Sequence, residues 1–201
     1  MPSKLVGLSK TLTWAEFVGT PTAGSSHLAF TSATFALPPV TVVKDATSGM
    51  FVVNDNITIT ITFDGSKSWK KMDEINAKKL RTPDEILKHE QGHYDIVALI
   101  ARDLFIDLMQ LKAKQYANQA ALNTDVAPIL KKYNGTAQKI IDKYDSKTEA
   151  DHGESATGQT KWNGFIKSAF TNPRTPAQSA PDGTAYKQPL LDVLKAGGVI
   201  I

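Results

Sequence analysis

The sequence contains no cysteine among its 201 residues. Disulfides, thiolate metal sites, iron–sulfur clusters and cysteine nucleophiles are therefore excluded, and any metal ion must be bound by nitrogen and oxygen atoms. Histidine is scarce as well, and the four residues are His27, His89, His93 and His152. Each histidine can therefore be considered individually as a metal ligand.

Long apolar runs and a strong charge of either sign are also missing. No segment reaches the ~18 consecutive apolar residues of a membrane helix. The 23 Lys and Arg against 20 Asp and Glu leave a net charge of only +3, so we predict neither a nucleic-acid partner nor a membrane span. The first residues lack the charged and apolar regions of an export signal. We therefore expect a cytoplasmic protein, or a secreted or periplasmic one in processed form.

The first third of the chain has the pattern of β structure. Residues 57–63 alternate apolar and hydroxyl side chains, which predicts a strand with one buried face. Residues 51–53 could extend that strand, and residues 28–36 and 39–43 are predicted as shorter strands. A small, mixed or antiparallel sheet is the expected product.

The middle of the chain is predicted to be dominated by one long helix. Thr82 is a suitable N-cap, Pro83 suits the first helical position, and Glu85 completes a capping box. From there to about Gln119 only Gly92 disfavours a helix. Apolar residues occupy more than one face of this segment, so we expect the helix to be central and covered on several sides.

Other segments complete the predicted organisation. The lysine-rich residues 66–81 are predicted as a solvated connection, and further helices are predicted over 124–144 and 158–169. We place one domain at residues 1–170. Residues 171–201 are predicted as a proline-rich arm with a short apolar end segment.

Residues 89–93 read His-Glu-Gln-Gly-His, the His-Glu-x-x-His pattern. A spacing of four residues places the imidazoles of His89 and His93 on the same helix face, where both can bind one ion. Glu90 lies beside that site and can act as a general base toward an activated water. Gly92 costs about 1 kcal/mol relative to Ala inside a helix, which indicates that a neighbouring group packs closely there.

Two histidines leave a catalytic zinc site incomplete, because three protein ligands are usual. Leu99 occupies the position of a third metzincin histidine, which rules out that pattern. The acidic loop at 145–157 is the natural source, with His152 as the first choice. Three carboxylates of the loop are alternative ligands: Asp145, Glu149 and Asp151. The fourth histidine, His27, is predicted to be structural or solvent-facing.

Two blocks of the sequence resemble a known family. The first is the run Leu87–Ile96, preceded by Ser68-Trp69 and by Leu12–Phe17, and the second comprises Tyr144-Asp145, Thr148, His152-Gly153, Gln159 and Trp162. This pattern, over about residues 11–166, resembles a bacterial family of uncharacterised domains described as predicted secreted zinc-dependent proteases. The resemblance implies a zincin-type peptidase with His89 and His93 as ligands and Glu90 as the catalytic base. It also implies that His152-Gly153 contributes to the site.

We therefore expect an α+β, zincin-like domain whose N-terminal sheet packs on the His-Glu-x-x-His helix, with further helices after it. The expected function is a metallopeptidase that uses Zn²⁺ bound by His89, His93 and His152, with Glu90 as the general base and a protein or peptide as substrate. The alternatives are a zinc-binding module without peptidase activity and a zinc hydrolase acting on another bond. The arm at 171–201 could also be an inhibitory segment over the cleft.

Overall fold

The long helix occupies the centre of the molecule. The computed structural model describes residues 2–37, 39–77, 81–174 and 186–201. The central helix, α2, spans Pro83–Gln110. The predicted capping box is confirmed: the Glu85 amide donates to Thr82 Oγ1 at 3.2 Å, and the Thr82 amide donates to the Glu85 carboxylate at 2.7 Å.

The end of α2 lies earlier than predicted. After Gln110 the chain forms a 3₁₀ turn at Leu111–Ala113 and then a short strand, β8, at Gln115–Tyr116. Strand β8 pairs antiparallel with β5, which spans Phe51–Val53. The prediction of a continuous helix to about Gln119 was wrong because pairing with a distant strand overrides local helix preference.

Three small sheets form from the described part of the chain. The first has the order β1-β6-β3, with β1 (Lys4–Val6) parallel to β6 (Thr58–Phe63) and β3 (Ala33–Ala36) antiparallel to it. A second sheet pairs β2 (Ala29–Phe30) with β7 (Trp69–Lys70). The third has the order β4-β5-β8, with β4 at Val42–Lys44.

The alternation in residues 57–63 works as predicted, because Ile57, Ile59 and Ile61 are buried. Residues 66–77, within the segment predicted as a solvated connection, contain regular secondary structure. They contain β7 and a helix, α1, at Met72–Ala77, with Trp69 and Ile75 buried. Residues 78–80 of this segment lie outside the described residues.

In the described ranges, four helices follow the third sheet. Helix α3 spans Gln119–Tyr133 and α4 spans Thr136–Tyr144, separated by Gly135 at φ 70°. The predicted single helix over 124–144 was therefore wrong, since the left-handed conformation at Gly135 interrupts the helix. Helix α5 spans Ala156–Thr171 and α6 spans Leu190–Ala196.

The core surrounds α2, as its apolar pattern predicted. Strands β3 and β6 lie against this helix, and α3, α4, α5 and α6 contact it as well. Residues Ile96 to Ala101 are nearly all fully inaccessible. The result is a mixed α+β fold in which the helix carrying His89 and His93 is enclosed by both sheet and helices. Among the described residues, no helix combines the length and apolar character that crossing a membrane requires.

The C-terminal segment is attached through a buried ion pair. Arg102 and Asp103 are adjacent on α2, and their charged groups meet at 2.7 Å. Arg102 also donates to the Ala169 carbonyl at the end of α5, and Asp103 accepts from the Leu190 amide at the start of α6. Within the predicted arm, α6 therefore packs on the domain, while residues 175–185 lie outside the described residues.

Candidate metal centre

Helix α2 presents His89, Glu90 and His93 on the face toward the site. The Nε2 atoms of the two histidines lie 3.2 Å apart, and their rings meet edge to face with centroids 4.8 Å apart. Glu90 is close as well, because one ligand atom from each of the three residues lies within 4.8 Å of the others. This local group could therefore hold a metal ion.

Asp145 completes a triangle with the two histidines. It caps the C-terminus of α4, which packs against α2. Its Oδ1 atom lies 3.1 Å from His89 Nε2 and 3.3 Å from His93 Nε2. Atoms bound tetrahedrally to zinc at about 2.0–2.1 Å lie roughly 3.3 Å from one another. The three atoms thus have the spacing of ligands around one ion.

The hydrogen bonds of these atoms also fit a cation. Despite the nearby histidines, Asp145 Oδ1 is buried and has no hydrogen-bond partner in the described part of the chain. His89 Nδ1 makes a 3.0 Å hydrogen bond with Gln159 Oε1, so its proton lies on Nδ1 and its Nε2 lone pair faces the triangle. A buried acceptor oxygen facing a lone pair is costly unless a positive group lies between them.

The protonation states of the residues at this site also favour a cation. Burial lowers the pKa of His93 to about 3, and His89 acts in the same direction. Burial acts to raise the pKa of Asp145, but the two imidazoles hold it below its ordinary value. Near neutral pH, an uncharged His93 and an ionised Asp145 therefore face the same point, which favours a cation.

Gln159 and Tyr144 position the His89 ring. Tyr144 is fully buried, and its ring stacks on His89 with centroids 4.6 Å apart. Its hydroxyl is 2.7 Å from Gln159 Nε2 and donates to the His89 carbonyl at 3.3 Å. A Cβ atom on Gly92 would lie 2.5 Å from that hydroxyl. The close neighbour that Gly92 indicated is therefore Tyr144.

Thr31 holds the Glu90 carboxylate from the opposite wall. Its hydroxyl donates to Glu90 Oε2 at 2.7 Å. Glu90 is 4% exposed, and burial raises its pKa to about 7 even though Thr31 and His89 oppose that shift. A carboxyl group with this pKa can both accept and release a proton near neutral pH.

His152 lies beside Asp145, next to the oxygen Oδ2 rather than the Oδ1 that faces His89 and His93. Its Nδ1 atom is 3.8 Å from Asp145 Oδ2, and its side chain is 48% exposed. The ring contacts that of His27, with centroids 4.5 Å apart. His27 is exposed, in agreement with the expectation of a solvent-facing residue, and it also lines the cavity that contains His89 and His93.

The other candidate ligands of the acidic loop have different surroundings. The Glu149 carboxylate accepts hydrogen bonds from Lys161 and from the Trp162 indole, at 2.9 and 3.0 Å. These two hydrogen bonds connect the loop to α5, which contains Lys161 and Trp162. Asp151 has a left-handed backbone at φ 50° and precedes His152.

A cavity of about 530 Å³ is lined by His89, Glu90, His93, Asp145 and His152. One wall is the continuous segment 26–34, and the opposite walls come from α2 and α4. The lining includes the polar residues His27, Arg81 and His152, and it also includes the apolar residues Ala33, Val97 and Ile141.

Sequence patterns did not identify every residue that shapes the site. Thr31 carries no local signal, because its partner Glu90 is 59 positions away. Gln159 belongs to the family-like block, but its bond to His89 spans 70 positions. Asp145 was one of four candidates in the loop, and no feature of the local sequence distinguishes it.

Comparison with known proteins places the chain in a family. Residues 8–153 match the model of a family of bacterial proteins of unknown function, DUF922, so the chain belongs to that family. The matched region includes β3, β6, α2, α4 and His152, whereas β1 lies outside it. No curated protein and no solved structure is significantly similar to the chain.

Proposed function

We propose that this member of the DUF922 family is a zinc-dependent metallopeptidase of the zincin type. In this proposal His89, His93 and Asp145 bind the metal, and Glu90 is the general base. The observation that carries the proposal is the triangle formed by two histidine nitrogens and one carboxylate oxygen, with sides of 3.1–3.3 Å.

Zinc suits this set of donors better than the other common ions do. Two imidazole nitrogens and one carboxylate oxygen are ordinary zinc ligands, whereas calcium and magnesium favour sites made only of oxygen. Three protein ligands also leave a position open, which is typical of catalytic zinc sites. A zinc ion bound here would supply Lewis acidity, which activates water and polarises a carbonyl group.

Glu90 is suited to move the proton. Thr31 occupies Oε2, so Oε1 is the oxygen that takes a proton from the attacking water. With a pKa of about 7, Glu90 can then release that proton to the leaving amine. Gln159, by accepting from His89 Nδ1, keeps the Nε2 lone pair directed at the metal position.

The shape of the cleft supports a peptide substrate. In the described residues β3 is an edge strand, since it is last in the order β1-β6-β3. The segment that leads into this edge lines the cleft next to Glu90. An extended peptide can hydrogen-bond to such an edge through its main chain. Val97 and Ile141, which line the same cleft, would then favour an apolar substrate side chain.

Replacing Glu90 tests the proposal directly. The Glu90→Gln variant should retain its zinc but lose about 10²–10⁴-fold in peptide hydrolysis, because the amide cannot take the proton. Digestion of a peptide library, with metal content measured on the same sample, gives both quantities. Asp142→Asn is a matched control, since Asp142 is an exposed carboxylate at the rim of the same cleft.

The rival functions predict different results. Full activity of Glu90→Gln would refute the role of Glu90. A wild-type protein that binds zinc but cleaves no peptide would favour a binding module or a hydrolase for another bond. Absence of zinc binding would refute the proposal as a whole.

A further inference from the structure

We propose that the centre binds two metal ions, and that Asp145 bridges them. The second ion would be bound by His27, His152 and Asp145 Oδ2. This inference rests on the proposed first site, at which Oδ1 of the same carboxylate is a ligand. Its ligand class is a divalent transition metal ion, with zinc as the first choice because the donors are imidazole and carboxylate.

The two oxygens of Asp145 face different histidines. Oδ1 lies 3.1 and 3.3 Å from His89 and His93, whereas Oδ2 lies 3.8 Å from His152 Nδ1. A carboxylate in this position can bind one ion through each oxygen. Two-metal hydrolases hold their ions about 3.5–4 Å apart, a spacing that one carboxylate can bridge.

The rings of His27 and His152, the outer pair, are arranged similarly to those of His89 and His93, the inner pair. The rings of His27 and His152 meet edge on, with centroids 4.5 Å apart and planes at 64°. The corresponding values for His89 and His93 are 4.8 Å and 86°. His27 and His152 come from separate segments, yet both line the cavity that contains the first site. This separation is compatible with two imidazoles that share one ion.

The backbone around His152 is held in a conformation that side chains usually avoid. Asp151, His152 and Gly153 have consecutive φ values of 50°, 48° and 77°. Such a conformation costs roughly 1–3 kcal/mol at a residue other than glycine, and it persists where the surroundings enforce it. The Arg81 guanidinium donates to the His152 carbonyl at 3.0 Å. The strained backbone therefore includes His152, a proposed metal ligand, and such strain is typical of functional positions.

Metal stoichiometry is the decisive measurement. Metal-free full-length protein is titrated with Zn²⁺ alone by calorimetry, and the metal content is then measured after dialysis. We expect two equivalents in the wild-type protein and one in His27→Ala and in His152→Ala. The Ser26→Ala variant is the control, because Ser26 lines the same cleft beside His27 and should retain two equivalents. Circular dichroism of each variant verifies that it is folded. His27 is exposed, so its replacement should not disturb the fold.

The outcomes separate this inference from the proposed function. One equivalent in the wild-type protein, lost in His89→Ala but retained in His27→Ala, refutes the second site and leaves the peptidase proposal intact. Two equivalents in both outer-histidine variants refute the ligand assignment. No binding at all refutes the second site together with the first.

Discussion

Asp145 illustrates how one residue acquires its role from its surroundings. It ends α4, and its side chain is partly buried beside the two histidines of α2. Its Oδ1 atom has no hydrogen-bond partner within the described ranges, whereas Oε2 of Glu149, four positions later, accepts hydrogen bonds from Lys161 and Trp162. An unsatisfied buried carboxylate oxygen is a better candidate ligand than one that already accepts two hydrogen bonds.

Removing the Asp145 carboxylate should therefore weaken zinc binding at the proposed first site. Loss of one of three protein ligands should reduce zinc affinity by more than the 10–100-fold typical of an outer-shell change. Competition with a chromogenic chelator measures this for Asp145→Ala. Asp151→Ala, in the same loop, is the control and should leave the affinity within about twofold. Equal affinities for the Asp145 variant and the wild-type protein would return the role of third ligand to His152.

Gly92 affects both the packing of α2 and the geometry of the proposed metal site. Alanine should favour the helix by about 1 kcal/mol, but its Cβ would lie 2.5 Å from the Tyr144 hydroxyl. Overpacking of this kind costs about 1–3 kcal/mol. We expect Gly92→Ala to be less stable than the wild-type protein in urea unfolding, with weaker zinc binding because Tyr144 and Gln159 shift.

Gly164 provides the matched comparison for Gly92. It lies inside α5, and a Cβ atom there would meet no heavy atom within 4 Å. Gly164→Ala should therefore raise the free energy of unfolding by up to about 1 kcal/mol. If both substitutions stabilise the protein equally, Tyr144 does not require glycine at position 92.

At the scale of elements, Glu149 connects the loop after α4 to helix α5. Burial acts to raise the pKa of Glu149, but hydrogen bonds from Lys161 and Trp162 hold it below its ordinary value. A carboxyl group whose pKa is lower in the folded state stabilises the fold above its unfolded pKa. That contribution is lost as the pH falls through the lower, folded-state pKa.

The Glu149→Gln variant should thus show a pH-dependent defect. We expect its free energy of unfolding to be about 1 kcal/mol lower than that of the wild-type protein at pH 7, with a smaller difference at pH 3. Urea unfolding at the two pH values measures this. Glu74→Gln removes a half-exposed carboxylate that pairs with Lys71 at 3.3 Å, and it should change stability by less than about 0.5 kcal/mol at either pH. A pH-independent defect in Glu149→Gln would contradict the account.

Short elements also show why local patterns mislead. The sequence after Gln110 is compatible with a helix, yet the chain turns so that Gln115 and Tyr116 pair with β5. The strand partner lies more than 60 positions earlier in the chain, and no local pattern records it. In contrast, the start of α2 was predictable because Thr82 and Glu85 satisfy the first amides of the helix locally.

At the scale of the whole molecule, the Arg102–Asp103 pair joins three helices. Arg102 is 5% exposed and Asp103 is fully inaccessible. Arg102 donates a hydrogen bond to a carbonyl at the end of α5, and Asp103 accepts one from an amide at the start of α6. The C-terminal segment thus contributes to the core through Leu190 and Leu194, both fully buried.

Breaking this pair should be costly. Asp103→Ala leaves the Arg102 charge buried without its partner, which typically costs 3–5 kcal/mol. Urea unfolding should show that loss, whereas Lys114→Ala, which removes an exposed ion pair with Asp125, should cost at most about 1 kcal/mol. A loss below about 1 kcal/mol in Asp103→Ala would mean that α6 is not held by this pair.

The sequence by itself determined the features that depend on neighbours along the chain. The cap of α2, the buried face of β6 and the paired placement of His89 and His93 all follow from helix and strand periodicity. Tertiary structure alone decided which loop residue meets those histidines, that Thr31 holds Glu90, and that His27 joins His152. The physical reason is that each of these contacts joins residues more than 50 positions apart. Such contacts depend on how α2, α4 and the first sheet pack together, and a single sequence does not record that packing.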